Sequence, residues 1–392
     1  MRNKKQSDVF GDSSINVPFV VPMITSDDKK SIMRALDSRL LTDGPLLKQF
    51  ESAFAKFTGA KYAIGVSNAT SALQLSLIAA GVGKGDEVII PDITFVATAN
   101  AVLATGAIPV IADIEKSDLN ISIGSVKKNI TSRTKAIMPV HFAGKSCNMK
   151  EITRLATKNG LKIIEDCAHA IGTKSGSKHV GNFGLSGCFS FYPTKNMTTI
   201  EGGMIICNSE KIAKFFASCR NHGILKTYKQ RFTSGLPWDY DVEKFGYNFR
   251  LDEIRSAMGI NQIKKIRFWN RKRNDVAKYY TSNLRKIKGI ETPEIFLENT
   301  NSWHLYVIKI KKSYGIKRDL LFKKLLKEGI RTSVHYKPLH KFTIYRKRAK
   351  SYSTLSNASK AYDEIISLPM YPSISRKEQD MVIQKIAYFS KQ

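Results

Sequence analysis

Short apolar runs that alternate with amphipathic stretches occupy residues 62–166 and leave few folds open. Tyr62-Ala63-Ile64-Gly65-Val66 leads through Ser67-Asn68 into a helical pattern over 69–80, and Val88-Ile89-Ile90 leads into another over 94–104. Ile108-Pro109-Val110-Ile111-Ala112 precedes a helix near 125–129, Ala136-Ile137-Met138-Pro139-Val140 precedes one over 149–158, and Lys162-Ile163-Ile164-Glu165-Asp166 follows. Runs of about five residues suit strands better than helices, and their near-continuous apolarity implies cover on both faces. Strands separated by helices of about ten residues join in parallel, because a parallel crossover needs that much chain. The expected class is α/β, with a mostly parallel central sheet covered by helices.

Residues 182–207 break the rhythm with two strand-like runs, one on each side of Lys195. Upstream, helical patterns cover 27–39 and 45–57, and Asp43-Gly44-Pro45 reads as a turn that opens the second, with proline near its first position. Residues 227–249 form a polar and aromatic loop long enough to be functional. Helical patterns follow over 252–266 and 270–284, then a strand over 303–310, a helix over 318–328, a mixed polar segment over 331–340, and two helices near 354–366 and 376–389. With 392 residues the chain exceeds the roughly 250–300 at which one core stops growing, so two domains are expected: residues 1–265, and a smaller α+β domain over 266–392.

Residues 1–15 are polar and weakly structured in pattern. They lack the apolar core of about 7–15 residues that a signal peptide needs, and no later stretch has the length and apolarity of a membrane span, so a cytoplasmic protein without a membrane partner is expected. Five scattered cysteines without a CxxC pair, and histidines without an HExxH pattern, argue against a disulfide framework and against a metal. The net charge of +30 raises a nucleic-acid reading. Lys and Arg are nevertheless spread along the chain, with only short clusters such as Arg271-Lys272-Arg273 and Arg346-Lys347-Arg348, so a lysine-rich surface is the favoured account and no nucleic-acid partner is expected.

The candidate chemistry gathers around Lys195, in Gly187-Cys188-Phe189-Ser190-Phe191-Tyr192-Pro193-Thr194-Lys195-Asn196. A lysine just past a buried strand, desolvated in a cleft, has a lowered pKa and offers the free amine that forms a Schiff base with an aldehyde, here pyridoxal phosphate. Ser67-Asn68-Ala69-Thr70-Ser71 opens a helix and suits a phosphate, although plain capping by Ser, Asn and Thr explains it as well. Ser190 could add a hydroxyl there or simply pack in its strand. Asp166, at a strand end, could keep a pyridine nitrogen protonated or could cap a turn. His169 could meet the cofactor's phenolic oxygen or be a satisfied core histidine, and Phe95 could stack on the ring or be core.

Together these blocks resemble the DegT/DnrJ/EryC1/StrS family of pyridoxal phosphate-dependent nucleotide-sugar aminotransferases, of the aspartate aminotransferase-like fold (fold type I). The resemblance runs from Leu41-Thr42-Asp43-Gly44-Pro45 to His335-Tyr336-Lys337-Pro338-Leu339-His340 and is densest at 165–172, at 189–196 with Glu201-Gly202-Gly203, and at Tyr247-Asn248-Phe249-Arg250-Leu251-Asp252. It implies that Lys195 is the Schiff-base lysine, that Asp166 pairs with the pyridine nitrogen, that His169 lies near the phenolic oxygen, that Phe95 stacks, and that Ala69, Thr70 and Ser190 hold the phosphate. It implies transfer from L-glutamate to a nucleotide-linked 4-keto-6-deoxy or 3-keto sugar, with His335, Tyr336 and His340 as substrate-binding candidates. A homodimer with shared active sites is implied too, Asn248 reaching the phosphate of the second subunit. Other members act on cyclitols, serve as regulators, or carry histidine in place of the lysine and act as dehydratases; Lys195 favours transamination. Ile200 departs from the usual glycine before Glu201, which alters the expected turn.

Overall fold

The computed structural model describes residues 14–224, 226, 228–233, 235–295 and 301–391, so the expectation for residues 1–13, and Thr227 at the edge of the aromatic loop, lie outside the described residues. The chain opens with helices α1 (Ser26–Leu36) and α2 (Pro45–Thr58). Strands β1 (Tyr62–Val66), β2 (Glu87–Pro91), β3 (Ile108–Ala112), β4 (Thr134–Ile137) and β5 (Lys162–Asp166) then alternate with α3 (Ala69–Ala79), α4 (Val96–Ala104), α5 (Ile123–Asn129) and α6 (Met149–Lys158). A two-residue hairpin, β6 (Lys174–Ser175) with β7 (Lys178–His179), precedes β8 (Ser186–Ser190) and β9 (Gly203–Cys207). The seven-stranded sheet has the order β1-β9-β8-β5-β4-β2-β3, and β9 alone runs antiparallel to the rest. The mostly parallel sheet inferred from the alternation is therefore present.

One face of that sheet packs on α3, α4 and α7 (Glu210–Cys219) through Leu73, Leu77, Val102 and Phe216; the other packs on α2 and the first half of α9 (Glu253–Leu284) through Phe50, Phe54, Ile266 and Trp269. Between α7 and α9, the expected 227–249 loop contains a short helix, α8 (Tyr228–Thr233). The helical patterns 252–266 and 270–284 are one helix, since Arg267-Phe268-Trp269 between them contains no breaker. A division at 265/266 thus falls inside α9. The second half of this helix contributes Val276, Ala277, Tyr280 and Leu284 to a separate core with β10 (Ile290–Glu291), β11 (Tyr306–Ile310), α10 (Arg318–Lys327), β12 (Ile365–Leu368) and α13 (Arg376–Phe389). Two further helices, α11 (Thr343–Arg348) and α12 (Ser356–Glu364), lie between α10 and β12. The pattern at 354–366 overran α12: Ile365-Ile366-Ser367-Leu368 is buried throughout and pairs with β11, which suits a β-branched run better than a one-faced helix does.

The turn before α2 shows how distant segments lock together. Pro45 is the first helical residue, as its fixed φ favours, and Gly44 supplies no capping side chain. Glu253, the first residue of α9 and 1% exposed, takes that role: its carboxylate accepts hydrogen bonds from the N–H groups of Gly44 (3.1 Å), Leu46 (2.8 Å) and Leu47 (2.9 Å). A Cβ on Gly44 would lie 2.5 Å from Glu253 Oε2, so a side chain there would displace the carboxylate from these N–H groups. Glu253→Ala leaves three N–H groups without their acceptor, and we expect a loss of about 2–3 kcal/mol, read as a lower denaturation midpoint at unchanged m-value.

Candidate active site

The parallel strands β5 and β8 end side by side, with Asp166 in register with Cys188. Asp166 is the last residue of β5, and the chain leaving β8 turns at Tyr192, where Lys195 N–H donates to the Tyr192 carbonyl at 2.9 Å. Ligand clefts of open α/β sheets form at such strand ends. The next residue, Asn196, is buried and donates to Ser302 O (2.7 Å) and to Asn270 Oδ1 on α9 (2.8 Å), which ties the lysine turn to both cores. Burial lowers the Lys195 pKa from 10.5 to about 8, opposed by the negative charge of Asp166. The free amine is therefore accessible near neutral pH.

Asp166 is itself buried, and burial raises its pKa; the Ala168 N–H (3.1 Å), the Thr98 hydroxyl (3.0 Å) and the Lys195 and His141 charges oppose that rise. Thr98 was missed by sequence reasoning, although it stands one helical turn after Thr94, whose hydroxyl it meets at 2.8 Å. His169 follows on the same turn, 5% exposed, with Nε2 at 3.1 Å from Tyr336 Oη and Nδ1 unpartnered. Desolvation first, then the Lys195 charge, pushes its pKa well below the usual range, so the ring is neutral. His304, also missed because it reads as part of an ordinary strand, packs on His169 with ring centroids 4.3 Å apart.

The phosphate candidates are assembled around Gly203. In register it faces Val66 on β1 and Ser190 on β8, and a Cβ there would lie 2.5 Å from the Asn68 carbonyl carbon and 2.8 Å from Ala69 N. The glycine lets β9 pass against the start of α3. Asn68 caps that helix by accepting from Ser71 N–H at 2.8 Å, which leaves the N–H groups of Ala69 and Thr70 in the first turn, where no intrahelical carbonyl reaches them. Capping thus leaves these N–H groups available to an anion. Phe95, at the start of α4, is 57% exposed and sits 6.0 Å from the Tyr336 ring, so it is a free aromatic face and not core.

His335 and Tyr336 share a cavity of about 50 Å³ with Lys195, Thr194, Phe19, His304 and Met370. Burial lowers the His335 pKa to about 3, and its Nδ1 lies 2.9 Å from Ser367 Oγ. His340 is placed differently: its ring nitrogens meet Asp92 Oδ2 (2.5 Å) and Ser359 Oγ (3.3 Å), which docks the 339–341 turn on the end of β2. Asn248 is exposed in a bridge with Asn221, and Asp252, not Asn248, caps α9. Ile200 adopts φ +69, the left-handed conformation for which glycine is the usual choice. Ligand atoms of His141, Glu165 and Cys167 lie within 4.8 Å of one another, but Glu165 already accepts from His141 Nε2 and from the N–H groups of Gly181, Phe183 and Gly184. Glu165 is a hydrogen-bond hub.

Residues 22–387 match the DegT/DnrJ/EryC1/StrS aminotransferase family. The chain belongs to this family. It is 38% identical over 373 residues, 94% of this chain and 96% of the relative, to the spore coat polysaccharide biosynthesis protein SpsC of Bacillus subtilis. Among solved structures it resembles Helicobacter pylori PseC, an aminotransferase involved in the biosynthesis of pseudoaminic acid (TM-score 0.88, 33% identity, 96% of this chain and 99% of that one). It also resembles the putative sugar aminotransferase Spr1654 of Streptococcus pneumoniae in its PMP form (TM-score 0.90, 28% identity, 96% and 99%). The fold is that of the aspartate aminotransferase-like enzymes. The family's cofactor, pyridoxal phosphate, fits the residues present: a low-pKa amine for its aldehyde, a buried carboxylate for its ring nitrogen, an aromatic face, an anion site at α3, and an orphaned buried nitrogen on His169.

Cofactor-free protein should recombine with pyridoxal phosphate at a rate that rises with pH around a midpoint near 8, the Lys195 value. Asp166→Asn removes the charge that holds this pKa up, so the midpoint should move below 8. A wild-type midpoint near 10.5 would mean that Lys195 is not desolvated.

Proposed function

We propose that this aminotransferase moves an amino group from L-glutamate to the ketone carbon of a nucleotide-linked 4-keto-6-deoxy or 3-keto sugar, in amino-sugar or polysaccharide biosynthesis. The observation that carries the proposal is the desolvated Lys195 amine beside buried Asp166, in a cavity walled by His304, His335 and Tyr336. The sugar class is supported by SpsC and PseC, whose names place them in polysaccharide and pseudoaminic acid biosynthesis.

When bound, pyridoxal phosphate supplies an electron sink for the pair left as a C–H bond breaks. The rest follows from the chain's own residues. Lys195 Nζ, with a pKa of about 8, takes up a proton from the amino donor's carbon and can release it again, since both protonation states are populated near neutral pH. Asp166, fixed by Ala168 and Thr98, would hold a positive charge on the cofactor's ring nitrogen. Ala69, Thr70 and Ser190 would hold the phosphate, and the exposed Phe95 ring would offer an aromatic face to the cofactor. His335 and Tyr336 offer neutral polar groups that can take sugar hydroxyls.

Borohydride should fix the cofactor on the peptide that contains Lys195. Glutamate alone should bleach the visible absorbance, and nucleotide-keto sugars should then gain an amine by mass. An adduct on another lysine removes Lys195 from the centre. Failure of every amino acid to change the spectrum favours a noncatalytic regulator, and amination of a cyclitol ketone instead of a sugar redirects the substrate.

The active form we propose is a homodimer with sites shared across the interface. Trp238 and Phe245 are 74% and 79% exposed, and Tyr240 is 42% exposed, on the segment that leads to exposed Asn248; such aromatics anchor interfaces. Lys195→Ala and Asn248→Ala should each be impaired, yet verified heterodimers should recover activity because one of their two sites carries neither lesion. Heterodimers without recovery would place both residues in one subunit's site. Among the described residues no helix is long and apolar enough to cross a membrane, consistent with a proposed cytoplasmic location.

A further inference from the structure

Arg273 belongs to the Arg271-Lys272-Arg273 cluster, yet while Arg271 and Lys272 are exposed, Arg273 is 2% exposed. A buried guanidinium normally has a carboxylate partner. Here none of the described acidic residues pairs with it: burial alone lowers its pKa, to about 9, which leaves it a cation at neutral pH. Its Nη1 donates to three main-chain carbonyls, those of Trp303 (3.3 Å), His304 (3.5 Å) and Met370 (2.9 Å). His304 and Met370 line the cavity that holds Lys195.

A second anomaly lies at the same point. Trp303 has φ +51, a left-handed conformation that is costly for a bulky side chain, and persists only where its surroundings over-determine it. Three hydrogen-bonding groups and its own burial hold it. Asn301 Oδ1 accepts its N–H at 2.8 Å, Asn274 Oδ1 accepts its indole N–H at 3.1 Å, Arg273 takes its carbonyl, and the side chain is 2% exposed. Two of the three groups come from adjacent residues of α9. The strained residue directly precedes His304, whose ring packs on His169 at 4.3 Å, and His169 in turn meets Tyr336. Left-handed Trp303 and His304 thus lie together just before β11.

We propose that Arg273 is a positioning residue for transamination: with Asn274 it holds Trp303 in the left-handed conformation and so fixes His304 against His169 in the wall of the Lys195 cavity. The inference rests on the pyridoxal phosphate-dependent reading of that cavity. Arg273 touches no reacting atom, so its effect is one of geometry, carried from α9 through the 303–304 backbone to His169. Its cation also helps to keep His304 neutral, after desolvation, which is the largest cause.

The test compares holoenzymes of wild type, Arg273→Met and Arg273→Lys. Methionine fills the volume without a charge, and replacing a buried ion with an apolar group often leaves a protein folded. The readouts are cofactor stoichiometry, thermal midpoint, visible circular dichroism of the bound cofactor, and kcat and KM for the amino donor. We expect Arg273→Met to bind one cofactor per chain, to lose about half or more of the visible circular dichroism, and to lose kcat by about tenfold or more at near-constant KM, since small misplacements of catalytic groups cost this much. A folded Arg273→Met protein with wild-type dichroism and kcat overturns the proposal and leaves Arg273 a core residue. Should the methionine variant fail to fold, Arg273→Lys decides: lysine lacks the planar fork, so reduced dichroism and kcat support the proposal and wild-type values overturn it. A wild type without any visible cofactor band would instead refute the reading of the cavity.

Discussion

Strand register is the constraint on which the site depends. Pairing of Asp166 with Cys188 and of Ser190 with Gly203 sets where β8 ends relative to β5 and β9, and Lys195 follows five residues after Ser190 in a turn closed by its own backbone. A slip by one residue would exchange the faces of β8, moving Ser190 from the α3 side and Cys188 from Ser76, whose hydroxyl it meets at 3.2 Å. The register is held by close approach at glycine: Gly187 packs against Gly181, with a Cβ only 2.2 Å from the Gly181 Cα, and Gly203 packs against Asn68. Side chains at either position would separate the layers that bring amine, carboxylate and helix terminus together.

Much of this was legible in sequence because it is local. The alternation gave the sheet, a polar turn after a buried run placed Lys195, and Asp166 stood at a strand end. Thr98, Glu253 and His304 were not legible for one shared reason: each acts on a residue far along the chain, and the sequence shows no trace of the pairing. Thr98 reaches Asp166, Glu253 reaches Gly44, and His304 reaches His169. Arg273 misled in the other direction. Its neighbours make it read as surface charge, and only the helical phase of α9, which buries Ile266, Trp269, Arg273 and Val276 in succession, places it inside.

Two left-handed residues mark where local preference yields to the site. Trp303 is buried and held by three groups, whereas Ile200 is 56% exposed, and its N–H donates to Thr198 Oγ1 at 2.9 Å. A left-handed β-branched residue costs roughly 1–2 kcal/mol. The turn it belongs to is nevertheless well fastened, since Thr198 Oγ1 also donates to Phe191 O and Thr199 Oγ1 to Glu201 O. Those bonds hold the chain between Lys195 and β9 in a conformation that a glycine at 200 would reach without strain.

The distribution of charge completes the account. The protein carries +30, yet among the described residues lining the Lys195 cavity only Lys195 bears a charge that titrates near neutral pH, because burial holds His304 and His335 in their uncharged forms. A cationic exterior around a nearly neutral cavity separates two tasks. The exterior field raises the local concentration of anionic substrates, an effect that salt screens over a Debye length of about 8–10 Å. Inside, a further fixed cation would depress the Lys195 pKa beyond what burial does and would bind carboxylate equally in every state of the reaction. Neutral imidazoles and a phenol supply shape and hydrogen bonds without that cost, which leaves the Lys195–Asp166 pair as the local determinant of where the proton resides.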